Sequence, residues 1–177
     1  MGSQVTQGDP MPHLRYPFNS SLESGFRTLA LLAAMNPKRC DLQRLVYYDY
    51  FLVHSEDVTE TSDAPESIHP ATPYRSGEVV VRRKLIENGC RLMLSRDLLS
   101  VEYAEEGIQY RASEFTEAFL SYLETPYFAR LRSVAEYVVA HFATFSDDEL
   151  ANFMTENLGR WGTEFARESV LQEAADA

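Results

Sequence analysis

Residues 69–107 read HPATPYRSGEVVVRRKLIENGCRLMLSRDLLSVEYAEEG. Pro70 and Pro73 stiffen an extended approach to a helix, because proline fixes its own φ and pushes the preceding residue out of the helical region. The helix opens at Ser76 or Gly77 and runs to about Arg96, with Val81, Leu85, Leu92 and Met93 as its core candidates. Gly89 weakens it by about 1 kcal/mol relative to alanine and permits close helix packing. Leu99, Val101 and Tyr103 then alternate with Ser100 and Glu102. Glu105-Glu106-Gly107 supplies a turn, with the glycine at positive φ, and Ile108 to Arg111 returns as a second strand. The pair is a short β-hairpin.

Upstream, Ser20 and Glu23 have the spacing of a capping box before a helix from Leu22 to Met35. Phe26, Leu29, Ala30, Ala33 and Ala34 share a face, and Leu31 and Leu32 broaden it, which predicts a central helix. Asn36-Pro37 ends it. Asp41 is placed to cap a second helix, Leu42 to His54. A strand over Leu45 to Val53 is the alternative, but the cap and the uninterrupted length favour helix. Ser55 to Pro73 is polar and acidic and reads as a mobile loop.

Downstream of the hairpin, Ser113 is placed to cap a helix over Glu114 to Glu124. Thr125-Pro126 restarts helix in the cap-then-proline order, running to about Ala143. Ser146 and Glu149 repeat the capping-box spacing before a helix to Leu158, which Gly159 closes. Trp161 to Glu173 reads as a last, more polar helix. The expected fold is mainly α with a short β-hairpin. A flexible leader (1–15) precedes a winged-helix-like domain (16–112) with its mobile acidic loop (55–73), and a C-terminal helical bundle follows (113–177).

The 177 residues are 45% hydrophobic and carry a formal net charge of −11. That field repels free duplex DNA, so any nucleic-acid contact needs a local basic patch or a partner. Cys40 and Cys90 stand alone in apolar helical contexts and read as two buried thiols of a reducing, cytoplasmic setting. No apolar run reaches the roughly 20 residues of a membrane span, and the N-terminal segment has no secretory h-region. His13, His54, His69 and His141 form no HxxxH, HExxH or Cys-His pair, and each reads as structural. Asp147-Asp148-Glu149 is explained by the capping box before any metal site. Neither a phosphate-binding glycine loop nor a GxSxG elbow is present. No catalytic residue, metal ligand or cofactor is therefore assigned.

Three helices followed by a hairpin is the element order of a winged helix, whose third helix reads DNA in DNA-binding members. Here that helix is locally basic. Tyr74, Arg75, Arg82, Arg83, Lys84 and Arg91 are the candidate residues for contact with a partner or nucleic acid. The plainer reading of Arg82-Arg83-Lys84 is a solvated face bridged to Glu78 or Glu87, and consecutive residues cannot all face one way. Glu102, Glu105 and Glu106 make the wing acidic and badly suited to phosphate. Tyr47, Tyr48, Tyr50 and Phe51 read as core and core edge, as do Tyr127, Phe128, Tyr137, Phe142 and Phe145.

The segments His69–Glu78 and Val81–Gly89, with Pro17–Arg27 and Asp41–Tyr50, resemble the middle component of bacterial ABC-three-component systems over about Tyr16 to Leu158. The resemblance extends to the small accessory subunit of Lamassu-type anti-phage and anti-plasmid systems (LmuC-like). It implies a non-catalytic subunit that binds an SMC- or Rad50-like ATPase. That subunit couples DNA sensing to a nuclease effector and meets DNA through the complex. The competing reading is a stand-alone winged-helix transcription regulator, which the net charge and acidic wing disfavour. An enzyme with an unfamiliar site ranks third.

Overall fold

The structure, a computed structural model, describes residues 20–59, 63–69 and 75–158, with the backbone alone over 75–80. In chain order it contains α1 (Ser21–Met35), α2 (Leu42–Val53), a 3-10 turn (Ser55–Asp57), α3 (Arg75–Leu94), β1 (Leu99–Ala104), β2 (Gly107–Ala112), α4 (Thr116–Ser121) and α5 (Pro126–His141). A sixth helix, α6, covers 147–158. Among the described residues the chain is mainly helical with one antiparallel hairpin, as its patterning predicts. The leader, Tyr74, Gly159 and the expected helix from Trp161 to Glu173 lie outside the described residues.

Four helices start where a side-chain oxygen meets a free backbone N–H. Ser20 accepts from Glu23 N–H at 3.1 Å and Asp41 from Arg44 N–H at 2.8 Å. Thr125 accepts from Phe128 N–H at 3.4 Å, one residue before the proline that opens α5. The Ser146–Glu149 box before α6 is complete: Glu149 N–H donates to Ser146 Oγ (3.2 Å) and Ser146 N–H to the Glu149 carboxylate (2.7 Å). α4 is shorter than the sequence suggests. The Ser113 hydroxyl donates to Asp97 O (2.7 Å) and accepts from Phe115 N–H (3.2 Å), which delays the helix to Thr116.

The hairpin pairs Leu99 with Ala112, Val101 with Tyr110 and Tyr103 with Ile108. Gly107 turns it at φ 118°, a conformation that favours glycine. Cys40, between α1 and α2, exchanges two backbone hydrogen bonds with Tyr110, at 3.1 and 2.8 Å. Three helices, a bridging residue after the first and a closing hairpin are compatible with a winged-helix arrangement.

α1 is the central helix. Leu29, Ala30, Leu31 and Leu32 are buried, and the helix packs against α2, α3, α4, α5 and β2. Its seam with α3 is closed by two glycines. A Cβ on Gly89 would stand 2.7 Å from the Gly25 nitrogen, and one on Gly25 would stand 2.3 Å from the end of Met93. Ser24 Oγ crosses the seam to donate to Leu85 O at 2.9 Å. The close packing expected at Gly89 is therefore present.

The inner face of α3 is turned about one residue from the expected one. Ile86, Cys90 and Met93 are buried together with Arg82, whereas Val81 is 62% exposed and Leu85 and Leu92 are half-buried. Of the four expected core residues only Met93 is fully inside. The inner row runs through a charged residue, Arg82, because its guanidinium meets a buried carboxylate, that of Asp49.

Leu131, Val134, Ala135 and Val138 of α5, Phe142 after it, and Leu150 and Met154 of α6 join the same core as α1 and α2. Phe142 packs its ring against Phe51 (4.9 Å between centroids), Phe145 (5.2 Å) and Phe153 (5.4 Å). Tyr48, Tyr50 and Phe51 are core residues, as their spacing predicts. Both cysteines are buried free thiols. The described parts of segment 55–73 are tethered: His69 N–H donates to Val53 O (3.0 Å), Ser55 Oγ to Pro65 O (2.8 Å), and Arg130 reaches Glu66 O (2.9 Å).

Candidate functional site

The six contact candidates do not share one surface. Tyr74 lies outside the described residues, and Arg75 opens α3 with its side chain likewise outside them. Arg83, Lys84 and Arg91 are exposed. Arg83 donates to Gln43 of α2 at 2.7 Å. Lys84 (3.0 Å) and Arg91 (2.5 Å) both reach Glu87, one helical turn from each. The hydrogen bond from Lys84, ahead of the charge of Arg91, holds the Glu87 carboxyl below the usual carboxylate range. This is the salt-bridged solvated face expected of such spacing.

Arg82 turns the other way. Its side chain is 3% exposed and its Nη1 donates to Asp49 Oδ2 at 2.6 Å, with the guanidinium 5.9 Å from the Tyr50 ring centroid. It is an internal residue, separate from the surface of Arg83, Lys84 and Arg91. Arg27 of α1 meets the same carboxylate with both arms, Nε to Oδ1 at 2.6 Å and Nη2 to Oδ2 at 3.3 Å. Arg27 Nη1 donates to Glu23 Oε1 at 2.9 Å. The Tyr127 hydroxyl (3.4 Å) and His69 Nε2 (3.6 Å) also approach that oxygen.

Two guanidiniums and two carboxylates thus form a charge-balanced chain joining α1, α2 and α3, with α5 and the 63–69 segment at its end. Burial alone would raise the Asp49 carboxyl, but the charges of Arg27 and Arg82 hold it below its usual range. Burial likewise opposes the charge on Arg27, and Asp49 followed by Glu23 outweighs it. Burial, then the Glu23 charge, pushes Tyr127 up to about 12. The sequence carried a signal for this chain. Asp49 is the single charge in Leu45–Val53, and Arg27 is the single cation of α1. A lone charge in an apolar helix needs a partner.

The hairpin presents an apolar face of graded exposure. Leu99 is buried, Val101, Tyr110 and Ala112 are half-buried, and the Tyr103–Ile108 pair near the turn is 85% and 48% exposed. Burial first, then Cys90 and Glu87 of α3, raises the Tyr110 phenol above its usual range, and Arg91 opposes the shift. α3 also packs against β1. The opposite face is polar, with Glu102 bonded to Arg111 (3.1 Å) and to Arg39.

A cleft of about 570 Å³ opens between the α1–α2 connection and the α5–α6 connection, lined in part by Lys38, Arg39, Cys40, Arg44 and Asp147. Its charged centre is already engaged: Arg44 donates to Asp147 (2.7 Å), to the Tyr48 hydroxyl (2.9 Å) and to Phe145 O (2.7 Å). The Cys40 thiol beside it is pushed up by burial and then by Asp41, and Cys90 is pushed up by burial to about 12. Neither supplies a thiolate near neutral pH. Among the described residues no group of three or more His, Cys, Asp or Glu side chains is placed to hold a metal ion. Among them, too, no helix is long and apolar enough to cross a membrane.

Residues 17–164 match the family described as ABC-three component (ABC-3C) system Middle Component 2. Neither the curated proteins nor the solved structures compared contain a match.

Proposed function

The chain belongs to the ABC-3C system Middle Component 2 family, and from that premise we propose that it is a non-catalytic subunit docking its partner through the hairpin and the outer edge of α3. Membership makes it an accessory component of a multi-component system. In the finer reading the partner is an SMC- or Rad50-like ATPase, DNA is met through that complex, and the response passes to a nuclease effector. A Lamassu-type defence role fits this reading.

The observation that carries the proposal is the Tyr103–Ile108 pair, two large apolar side chains exposed side by side on facing strands of the hairpin. Exposed aromatics of this kind anchor interfaces, because covering them releases water at little cost in side-chain entropy. On the outer edge of α3, Arg83, Lys84 and Arg91 against Glu87 leave two net positive charges on an otherwise acidic protein. They suit an acidic rim on the partner or a phosphate held by it.

Co-expression with the other components of the system tests this. Tyr103→Ser with Ile108→Ser is expected to weaken co-purification of the ATPase by about 10-fold or more, the consequence of losing roughly 1.4 kcal/mol. Arg83→Gln with Lys84→Gln, which removes charge from the same docking surface, is expected to weaken co-purification to a smaller extent and to reduce its dependence on salt. A complex that forms undiminished with the hairpin variant would overturn the proposal.

A further inference from the structure

The backbone of β1 has one unpaired side. In an antiparallel pair, facing residues alternate between two kinds. One kind exchanges both main-chain hydrogen bonds, and the other points its N–H and C=O groups away from its partner. Tyr110 of β2 turns both groups to Cys40, donating to Cys40 O at 2.8 Å and accepting from Cys40 N–H at 3.1 Å. Val101, which faces Tyr110, is therefore in a pair of the second kind, and its own N–H and C=O point away from β2. Tyr103, two residues on, repeats that orientation. Ser100, Glu102 and Ala104 are left to carry the bonds that hold the hairpin together.

Cys40 covers the outer side of β2, and the outer side of β1 has no such cover. Among the described residues, the main chains of Val101 and Tyr103 make no hydrogen bond beyond the hairpin. Tyr103 is 85% exposed and Val101 is half-buried. Strand edges are ordinarily blunted by lysine, proline or a bulge. Residues 100–103 contain no lysine or proline, and the pairing register runs unbroken from Leu99 to Ala104. Their one charge, Glu102, is on the polar face and is bonded to Arg111 and Arg39.

We infer that β1 takes up a third strand, an extended segment of the partner protein that hydrogen-bonds to Val101 and Tyr103 through its own backbone. The free edge offers alternating N–H and C=O groups at strand spacing, and an extended peptide backbone is their complement. Side chains facing Val101 and Tyr103 across the new pair fall on the apolar side of the hairpin, so the incoming segment alternates apolar with polar residues. A second copy of this chain is disfavoured as occupant, because each carries a net charge of −11. This rests on the reading of the hairpin as the docking surface and adds that the partner is held by main chain as well as by side chains.

Val101→Pro removes an outward N–H and keeps an apolar side chain, and proline is accepted on a strand edge where the N–H faces solvent. On co-expression with the other components of the system, it is expected to weaken co-purification of the ATPase about 10-fold. Amide exchange on the unaltered chain needs no substitution and guards against a misfolded variant. In the free chain, Val101 and Tyr103 are expected to exchange at least about 10-fold faster than Glu102 and Ala104, and in the complex to slow to match them. If Val101→Pro assembles fully while Tyr103→Ser with Ile108→Ser does not, the hairpin docks by side chains alone. The strand inference then fails and the docking reading stands. If neither substitution weakens assembly, both fail. Val101 and Tyr103 amides that stay fast in the complex overturn the strand inference as well. So does a chain that sediments alone as a dimer and is dissociated by Val101→Pro, for a second copy then covers the edge.

Discussion

On the inner side of α3, Arg82 bonds a fully buried Asp49 that Arg27 also grips. On the outer side, within two helical turns, Lys84 and Arg91 share Glu87 at the protein surface. The residue types and distances are nearly the same, but the surroundings differ. Inside, no water can replace a lost partner, so removing one charge strands the others in a medium that solvates them poorly. Outside, solvent and salt take over when a partner is removed, and two long side chains regain their rotamers. Hydrogen-bond geometry alone would not tell these pairs apart, and burial does.

The largest test breaks the inner chain. Asp49→Ala leaves two buried guanidiniums facing each other and is expected to cost about 3–5 kcal/mol in urea unfolding. A loss below about 1 kcal/mol would mean that the inner pairs behave like surface ones. The same carboxylate fixes a pH window. Its folded pKa is depressed, so its contribution is complete above the unfolded value of about 4. That contribution disappears as pH falls through the lower folded value. Urea midpoints followed from neutral pH downward are expected to drop more steeply below about pH 4 for the unaltered chain than for Asp49→Asn.

The seam beside the chain gives the second test. Alanine favours helix over glycine by about 1 kcal/mol, so Gly89→Ala would stabilise an exposed helix. Here the added Cβ would meet backbone atoms of Ser24 and Gly25 at 2.7 to 3.0 Å, which cannot swing aside. A net loss of roughly 1–3 kcal/mol is expected from thermal or urea unfolding. A stabilised Gly89→Ala would show that α1 and α3 lie further apart than described.

The smallest effect is on the outer face. Glu87→Gln removes both outer bridges and is expected to leave the urea midpoint unchanged within error. A clear shift there would erase the distinction between the two sides of the helix.

The features legible in the sequence are those settled within a few residues. Asp41, Thr125 and the Ser146–Glu149 box cap the helices they precede, because each bond spans three residues. The alternation of Leu99, Val101 and Tyr103 and the turn at Gly107 gave the hairpin for the same reason. The inner ion chain joins residues 22 and 33 positions apart, and nothing local says which arginine of Arg82-Arg83-Lys84 turns inward. The inner row of α3 runs through Arg82, Ile86, Cys90 and Met93 and leaves Val81, an expected core residue, exposed.

The two hydrogen bonds between Cys40 and Tyr110 have a mechanical consequence. They stitch the hairpin to the stretch that separates α1 from α2, so the hairpin is a braced lever and not a free arm. Force applied at Tyr103 by a bound partner would be felt at the joint between the two helices that hold Arg27 and Asp49. Amide exchange at Cys40 and Tyr110 is expected to slow together when the tip is engaged.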